Sequence, residues 1–497
     1  MKARSTAACL LWFRQDLRLA DNPALCAAAE AGLAVIPVFI WSPEEEGRRP
    51  PGAAGRYWLH QSLAALDAEL RKRRARLILR RGSTAAELGR LLAETRACAI
   101  YWNRRYEPEA VKQAARLRRE LAAENVELRD YAGSLLCEPH AVRTKAGTPF
   151  KVFTPFYRAA LQQYRHEPVP PSAPPMESPA HWPRSLNLDA LDLLPRVDWA
   201  GGIRRFWRCG ERAAQERLAQ FVDEQVDDYD RLHDRPDRDG TSCLSPHFHF
   251  GEISPQQAWD AVIRAAERRA ASPAAPRSAA RKNPWPAGAE AFLRQLFWRE
   301  FSCHVLAHFP RLPDQPLHPQ FARLPWKRSG RELKAWQSGR TGYPVIDAAM
   351  RQLWETGWMH NRARMIVGSF LVKDLLIRWQ EGERWFWDTL VDADLACNAF
   401  NWQWTAGCGA DPAPFFRIFN PVLQGQKFDP QGDYVRRYVP ELARMPARYI
   451  HAPWAAPEGI LKEAGVDLGR TYPQPMVDHA EARDRALLAL ASVKGVG

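Results

Sequence analysis

Between Trp298 and Trp404, large aromatic side chains alternate with amides, arginines and carboxylates. The runs are Q-L-F-W-R-E-F at 295–301, T-G-Y-P-V-I-D-A-A-M at 341–350, G-W-M-H-N-R-A-R-M at 357–365, L-L-I-R-W at 375–379 and D-A-D-L-A-C-N-A-F-N-W-Q-W at 392–404. A hydrocarbon core does not need those polar groups, whose burial costs free energy unless each is paired. A pocket for a flat, hydrogen-bonding ring system needs both kinds. Asn361 and Met365 stand four apart, on one face of an expected helix, with Arg364 one step round. An amide beside a soft thioether suits a heterocycle. Taken alone, that pair is better explained as a helix cap beside a core methionine. Trp402 and Trp404 are two apart and leave a helix in different directions, so one can face a cofactor and the other a substrate. Asp392 and Asp394 can accept from a ring amide or pair with Arg364; a structural ion pair is the plainer alternative. Trp379 lies about 21 Å beyond Met365 if their helix is continuous. It then relays an electron or simply fills the core.

Tyr229 and G-T-S-C-L-S at 240–245 place hydroxyls and backbone amides before an expected helix. That arrangement can hold a diphosphate, and equally it can be only a cap. No metal site is expected. His304 and His308 lack the Glu of H-E-x-x-H, and His247 and His249 have no Cys or carboxylate at ligand spacing. The net charge of +13 points to a polyanionic partner, most simply nucleic acid. Nine scattered cysteines without C-x-x-C indicate a reducing compartment. The apolar run from Ala7 to Phe13 is too short for a secretion signal, and no stretch reaches membrane-spanning length. A soluble, cytoplasmic monomer without a membrane partner is expected.

These residues need elements to hold them. Cys9–Phe13, Val35–Trp41, Leu77–Leu79, Ala99–Trp102 and Val126–Leu128 are short apolar runs separated by helical patterns such as Tyr57–Lys72 and Glu109–Ala123. That alternation predicts an α/β domain over 1–135 with a parallel, Rossmann-like sheet covered on both faces. Such sheets bind ligands at the carboxyl ends of their strands. Neither G-x-G-x-x-G nor G-x-x-x-x-G-K-[ST] occurs. Residues 136–204 are expected as a linker, with seven prolines between Pro168 and Pro183. A loop is expected around Ala271–Pro286. From 205 to 490 the pattern is helical, including one helix over Arg362–Trp379.

The chain resembles the photolyase/cryptochrome flavoproteins, and among them the bacterial cyclobutane pyrimidine dimer photolyases. The resemblance is carried by W-F-R-Q-D-L-R-L-A-D-N-P-A-L at 12–25, G-T-S-x-L-S at 240–245, W-R-E-F at 298–301 and the stretch from Thr341 through F-F-R-I-F-N-P-V-L-Q-G-Q-K-F-D at 415–429. P-E-E-E-G and R-Y-W-L-H-Q-S-L, within 43–63, look like the plant-cryptochrome-related branch called class III. The resemblance implies an all-helical FAD- and DNA-binding catalytic domain over 205–490. It also implies light-driven splitting of dimers in UV-damaged DNA by an electron from photoexcited reduced FAD. By motif position it assigns Tyr229, Thr241, Ser242, Cys243, Leu244 and Ser245 to the cofactor's diphosphate and ribose. Arg364, Asp392, Ala393 and Asp394 fall around its ring system, with Asn398 facing the reactive nitrogen. Trp402, Trp379 and Trp326 match the photoreducing tryptophan chain, from flavin to surface. Gln295, Trp298, Asn361, Met365 and Trp404 match dimer-binding positions, and Arg362, Arg417 and Gln424 match DNA contacts. The family's repair enzymes usually carry Glu at the position of Gln295, so weakened repair is expected here. The class III look favours a methenyltetrahydrofolate antenna, with a deazaflavin as the alternative. A cryptochrome-type photoreceptor is the runner-up; Asn398 and the short stretch after 479 count against it. A (6-4) photolyase ranks lower, because that class needs a His pair where this chain has Met359-His360-Asn361.

Overall fold

The computed structural model describes residues 7–170, 172–271, 285–411 and 417–494. Apart from its ends, the loop expected at 271–286 lies outside the described residues, as do Phe415 and Phe416. Those within Met1–Phe150, Pro155–Asp227 and Ser242–Pro310 pack as one compact unit. Those within Lys151–Thr154, Asp228–Thr241 and Arg311–Gly497 pack as a second.

The first unit is built on five strands, β1 (Ala8–Phe13), β2 (Ala34–Trp41), β3 (Ile78–Arg81), β4 (Ala99–Asn103) and β5 (Glu127–Tyr131). Helices α1 (Pro23–Glu30), α2 (Ala53–Lys72), α3 (Thr84–Thr95) and α4 (Pro108–Glu120) connect them. All pairings are parallel, in the order β3-β2-β1-β4-β5. Every residue of β1, β2 and β4 is buried, so both faces are covered, and this is why these strands read as unbroken apolar runs. One face packs Leu10, Trp12, Ile36, Val38, Ile100 and Trp102 against Leu88 and Leu91 of α3.

The motif at 12–25 ties this unit together. Arg18 donates to the carbonyls of Asp21, Gly133 and Gly251, and the Leu17 amide donates to Phe250 O. Glu252 accepts from Trp58, Ser62 and the Gly210 amide, and meets His247 Nδ1 at 2.5 Å. These bonds tie α2 and the segment after β1 to the start of α7 (Glu211–Glu224) and to α9 (Ser245–His249) with the turn after it; the unit also holds most of α5 (Phe153–Gln163), α6 (Gly201–Phe206), α10 (Pro255–Ala270) and α11 (Ala287–His308). The stretch 136–204 carries α5; between 165 and 200 the described residues form the 3-10 turn Leu188–Leu191 and a single parallel bridge from Glu177 to Ala34 of β2.

The second unit contains α8 (Tyr229–Leu232), α12 (Gly330–Gln337), α13 (Pro344–Thr356), α14 (Asn361–Ser369), α15 (Trp379–Thr389), α16 (Leu395–Ala406), α17 (Pro421–Phe428), α18 (Asp433–Tyr438), α19 (Ala447–Ile450), α20 (Glu458–Ala464) and α21 (His479–Lys494). Its core gathers Ile346, Met350, Leu353, Ile366, Val367, Phe370, Trp379 and Trp402.

The single helix expected over Arg362–Trp379 does not form. α14 ends at Ser369, a π turn covers Phe370–Asp374, and Leu376 takes a left-handed φ of 53° before α15 starts at Trp379. Tertiary partners replace the helical bonds there. Lys327 N donates to Leu376 O at 2.8 Å, Arg485 donates to Asp374 O at 2.6 Å, and His479 Nδ1 meets buried Asp374 at 2.5 Å. The 21 Å axial separation therefore does not apply to Trp379, which belongs to a different helix from Met365.

Candidate functional site

In the second unit the polar and aromatic residues of the sequence pattern come together on α14, α15 and α16. α14 is capped by His360, whose Nδ1 accepts from the Arg362 amide at 3.2 Å. The expectation of an Asn361 cap beside a core Met365 therefore fails. Asn361 is exposed, Met365 is half-buried, and so is Trp404 on α16. α14 and α16 approach closely where Gly368 faces Thr405; a Cβ on Gly368 would lie 3.1 Å from Thr405 Cγ2.

Arg364 reaches across to Asp392 at 2.7 Å and also donates to Met359 O at 2.7 Å. The Asp392 side chain is 2% exposed, and its Oδ1 is buried without a hydrogen-bond partner. That oxygen is an acceptor awaiting an N–H. Asp394 is occupied locally, as the N-cap of α16 accepting from the Cys397 amide at 2.8 Å. Ala393, between them, is buried. Asn398, one turn into α16, donates to Glu383 O at 3.0 Å and to the Glu383 carboxylate at 3.2 Å. Both partners are buried, so the amide is held in one orientation.

Trp402 lies on a stripe of α15 made by Trp379, Gly382 and Phe386, three and four residues apart. Its ring contacts Phe386 edge-on at 5.0 Å and Trp336 at 6.2 Å. Gly382 permits this approach: a Cβ there would fall 2.1 Å from Trp402 Cη2. We therefore predict that Gly382→Ala destabilises the protein by at least the ~1–3 kcal/mol of overpacking, measured by denaturant unfolding. Trp326 precedes Lys327, which pairs with Ile377 just ahead of α15. Trp326 is half-buried, whereas Trp379 and Trp402 are 2% and 4% exposed. Of the three, Trp326 is thus the nearest to solvent.

Arg362 pairs with Asp234 and lies 4.5 Å over the Phe428 ring. Gln424 is half-buried on α17, and Arg417 is exposed. Tyr229 opens α8 and stacks on His233 at 5.1 Å. Thr241 is half-buried and follows Gly240, where a Cβ would meet Leu232 Cβ at 2.5 Å.

Ser242, Cys243, Leu244, Ser245, Gln295 and Trp298 belong to the first unit. Cys243 takes a left-handed φ of 51°, and no side chain caps α9, which begins at Ser245. On α11, exposed Gln295 and half-buried Trp298 share a face three residues apart. Glu300 of W-R-E-F is an anchor instead: it is buried and accepts from the Leu136 and Cys137 amides, and burial pushes its carboxyl up to about 7. His304 has both ring nitrogens engaged, by Pro139 O and the Phe150 amide. His247 does have a carboxylate partner, Glu252. Among the described residues no group of His, Cys, Asp or Glu could hold a metal ion, and no helix is long and apolar enough to cross a membrane.

The sheet also offers a cleft, of about 590 Å³ including its open mouth, at the carboxyl ends of β1 and β2. Trp12, Arg14, Phe39, Trp41, Arg105 and His249 are among its walls. The Arg14 guanidinium is buried, with Nε and Nη1 unpartnered.

Comparison with known proteins gives this geometry its context. Residues 9–176 match the family model described as DNA photolyase, and residues 292–492 match the FAD binding domain of DNA photolyase. The chain is 47% identical to the deoxyribodipyrimidine photo-lyase of Agrobacterium fabrum over 98% of both chains. It superposes on the crystal structure of a class III photolyase from Agrobacterium tumefaciens with a TM-score of 0.91 and 45% identity, covering 100% of this chain and 99% of that one. Cryptochrome-2 of Arabidopsis thaliana is 37% identical over 98% of this chain and 79% of its own length. This chain belongs to the photolyase/cryptochrome family.

The residues present fit the flavin that the family's FAD-binding domain implies. The unpartnered Asp392 Oδ1 offers an acceptor, the Arg364–Asp392 pair a fixed charge, and Asn398, six residues after Asp392 in the first turn of α16, an oriented amide. Several members of this constellation were not legible beforehand. Phe386 and Trp336 give no sign of touching Trp402, although Phe386 does share helical phase with Trp379. Glu383 gave no sign of holding Asn398, and the motif at 12–25 gave none that its Trp12 and Arg14 would line a cleft.

Proposed function

We propose that this photolyase-family chain is a deoxyribodipyrimidine photo-lyase that repairs cyclobutane pyrimidine dimers in DNA under blue light. The observation that carries the reading is the set of exposed Asn361 and half-buried Met365 and Trp404 on two helices that also carry Arg364 and Asn398, with Asp392, the partner of Arg364, just before the second. An apolar wall with one amide suits a lesion flipped from the stack, whose ring faces are apolar and whose edges are polar. The identity of 47% to a photo-lyase, against 37% to a cryptochrome, supports the same reading.

In this proposal FAD supplies the photoexcited reductant, and the protein supplies binding, orientation and electrostatics. Arg364, Asp392 and Asp394 hold its ring system, with Ala393 packed beside it. Asn398, fixed by Glu383, presents its amide to the reactive edge. Tyr229, Thr241 and Ser242 to Ser245 hold the diphosphate and ribose. Trp402, Trp379 and Trp326 carry reducing electrons inward from solvent. Trp404 packs on the dimer, Asn361 reads its edge, Met365 lines its wall, and Arg362, Arg417 and Gln424 contact the DNA strand; Trp298 and Gln295 are assigned to dimer binding by the family resemblance. The catalytic region is 205–490. The cleft at the sheet's carboxyl end, with Arg14 and its aromatic walls, is assigned to a folate or deazaflavin antenna.

The test is dark binding of the purified flavoprotein to a dimer-containing oligonucleotide and to its undamaged twin. Clear preference for the dimer is expected, and equal affinity would refute the repair reading. The same titration should be salt-dependent, with log affinity falling by about 0.7 per phosphate neutralised on a single strand for each tenfold rise in salt. A flat dependence would remove the basic DNA face. Gln295 keeps a donor and an acceptor but cannot ionise. We predict that Gln295→Glu raises the repair yield per photon, measured against wild type on the same oligonucleotide; an unchanged yield and unchanged dimer affinity would make this position neutral.

A further inference from the structure

We infer that His360 is a dedicated N–H donor to a phosphate oxygen of a bound molecule, either a DNA backbone phosphate or the cofactor diphosphate. The imidazole is 3% exposed, and its two nitrogens are used differently. Nδ1 accepts from the Arg362 amide, and so carries no proton. A neutral ring with Nδ1 as acceptor must carry its hydrogen on Nε2. The ring is kept neutral: burial, with Arg362, Arg364 and His233 around it, pushes it down to about 4 against the pull of Asp234. The result is a donor at Nε2 at every working pH, and that atom is buried without a partner.

The surroundings select the chemistry of the acceptor. The His360 amide is itself held by Gln352 Oε1, which also accepts from Tyr434, so the ring is fixed from its own backbone. Arg362 Nε is a second buried donor without an acceptor, while the same guanidinium is oriented by Asp234 and Phe428. Two unfilled donors on residues two apart, with a second arginine one turn on, call for an oxygen that is negatively charged and has several lone pairs. A phosphate satisfies this, whereas a base edge presents donors as well as acceptors. His360 is therefore a binding residue that contributes geometry without charge, next to Arg362, which contributes charge.

The DNA arm of this inference rests on the dimer-repair reading, and the cofactor arm does not. The experiment uses His360→Asn holoprotein in the dark. Asn caps a helix well but is too short to place a donor where Nε2 stands. Flavin dissociation and affinity for a dimer-containing oligonucleotide are measured across a salt series. One of the two affinities is expected to fall by about 10- to 100-fold, the effect of one hydrogen bond to a charged group. Loss of dimer affinity at unchanged salt slope assigns the DNA phosphate, since a neutral donor releases no counterion. Loss of flavin assigns the diphosphate. If both affinities are unchanged, or only thermal stability falls, the inference is overturned. Should the Asn variant fail to fold, histidine methylated at Nε2 keeps the ring and its cap and blocks only the donor. If wild-type protein does not prefer the dimer, the repair reading fails while the flavin arm stands.

Discussion

Asp392→Ala is expected to give a folded protein that purifies without flavin. The carboxylate is 2% exposed, and one oxygen is engaged by Arg364 at 2.7 Å while the other is unpartnered. Removing it deletes the free acceptor and strands the Arg364 charge. Breaking a buried pair on one side costs about 3–5 kcal/mol. Arg364 is 24% exposed and keeps its bond to Met359 O, so the lower end applies. About 3 kcal/mol lost from binding corresponds to roughly a hundredfold weaker retention. The flavin-to-protein absorbance ratio reports it, with circular dichroism to show that the fold survives. Asp392→Asn retains an acceptor and should be intermediate. A full flavin complement in Asp392→Ala would mean that this pair is structural only.

The second large effect is kinetic. Trp402→Phe should slow photoreduction of the oxidised flavin by at least an order of magnitude and leave repair by chemically reduced protein largely intact. Trp402 is buried, lies against Gly382 and meets Phe386 edge-on. Phenylalanine keeps most of the packing, so its stability cost stays below the ~3–5 kcal/mol of truncation to alanine. It does not keep the easily oxidised indole. Flash photolysis separates the two activities. Undiminished photoreduction in Trp402→Phe would route the electrons through other residues. Equal loss of photoreduction and of repair by reduced protein would instead indicate a displaced cofactor.

The parallel sheet was readable because strands buried on both faces must be apolar throughout, as Cys9–Phe13 and Val35–Trp41 are. The helix bearing Asn361 and Met365 was readable from its spacing, but its end was not. The residues 370–378 look helical, and only distant partners (Lys327, His479 and Arg485) draw them into a π turn and a left-handed Leu376. Local periodicity carries no information about bonds made a hundred residues away. For the same reason Glu300 and Glu252 passed unnoticed as structural acceptors. Their role is defined by backbone amides and rings from other segments. The site residues themselves were visible chiefly through the family resemblance. Asn361 is accessible where its residue type alone suggested a cap, and Gly382 acquires meaning only when Trp402 is seen against it.

The most direct test of the account is photorepair. A thymine-dimer oligonucleotide is incubated with purified, reduced protein in blue light and in the dark, and restored thymines are counted. Thymines are expected to be restored in the light alone, with a lower yield per photon than in Gln295→Glu. A protein that binds and photoreduces its flavin yet restores no thymine in the light would contradict it.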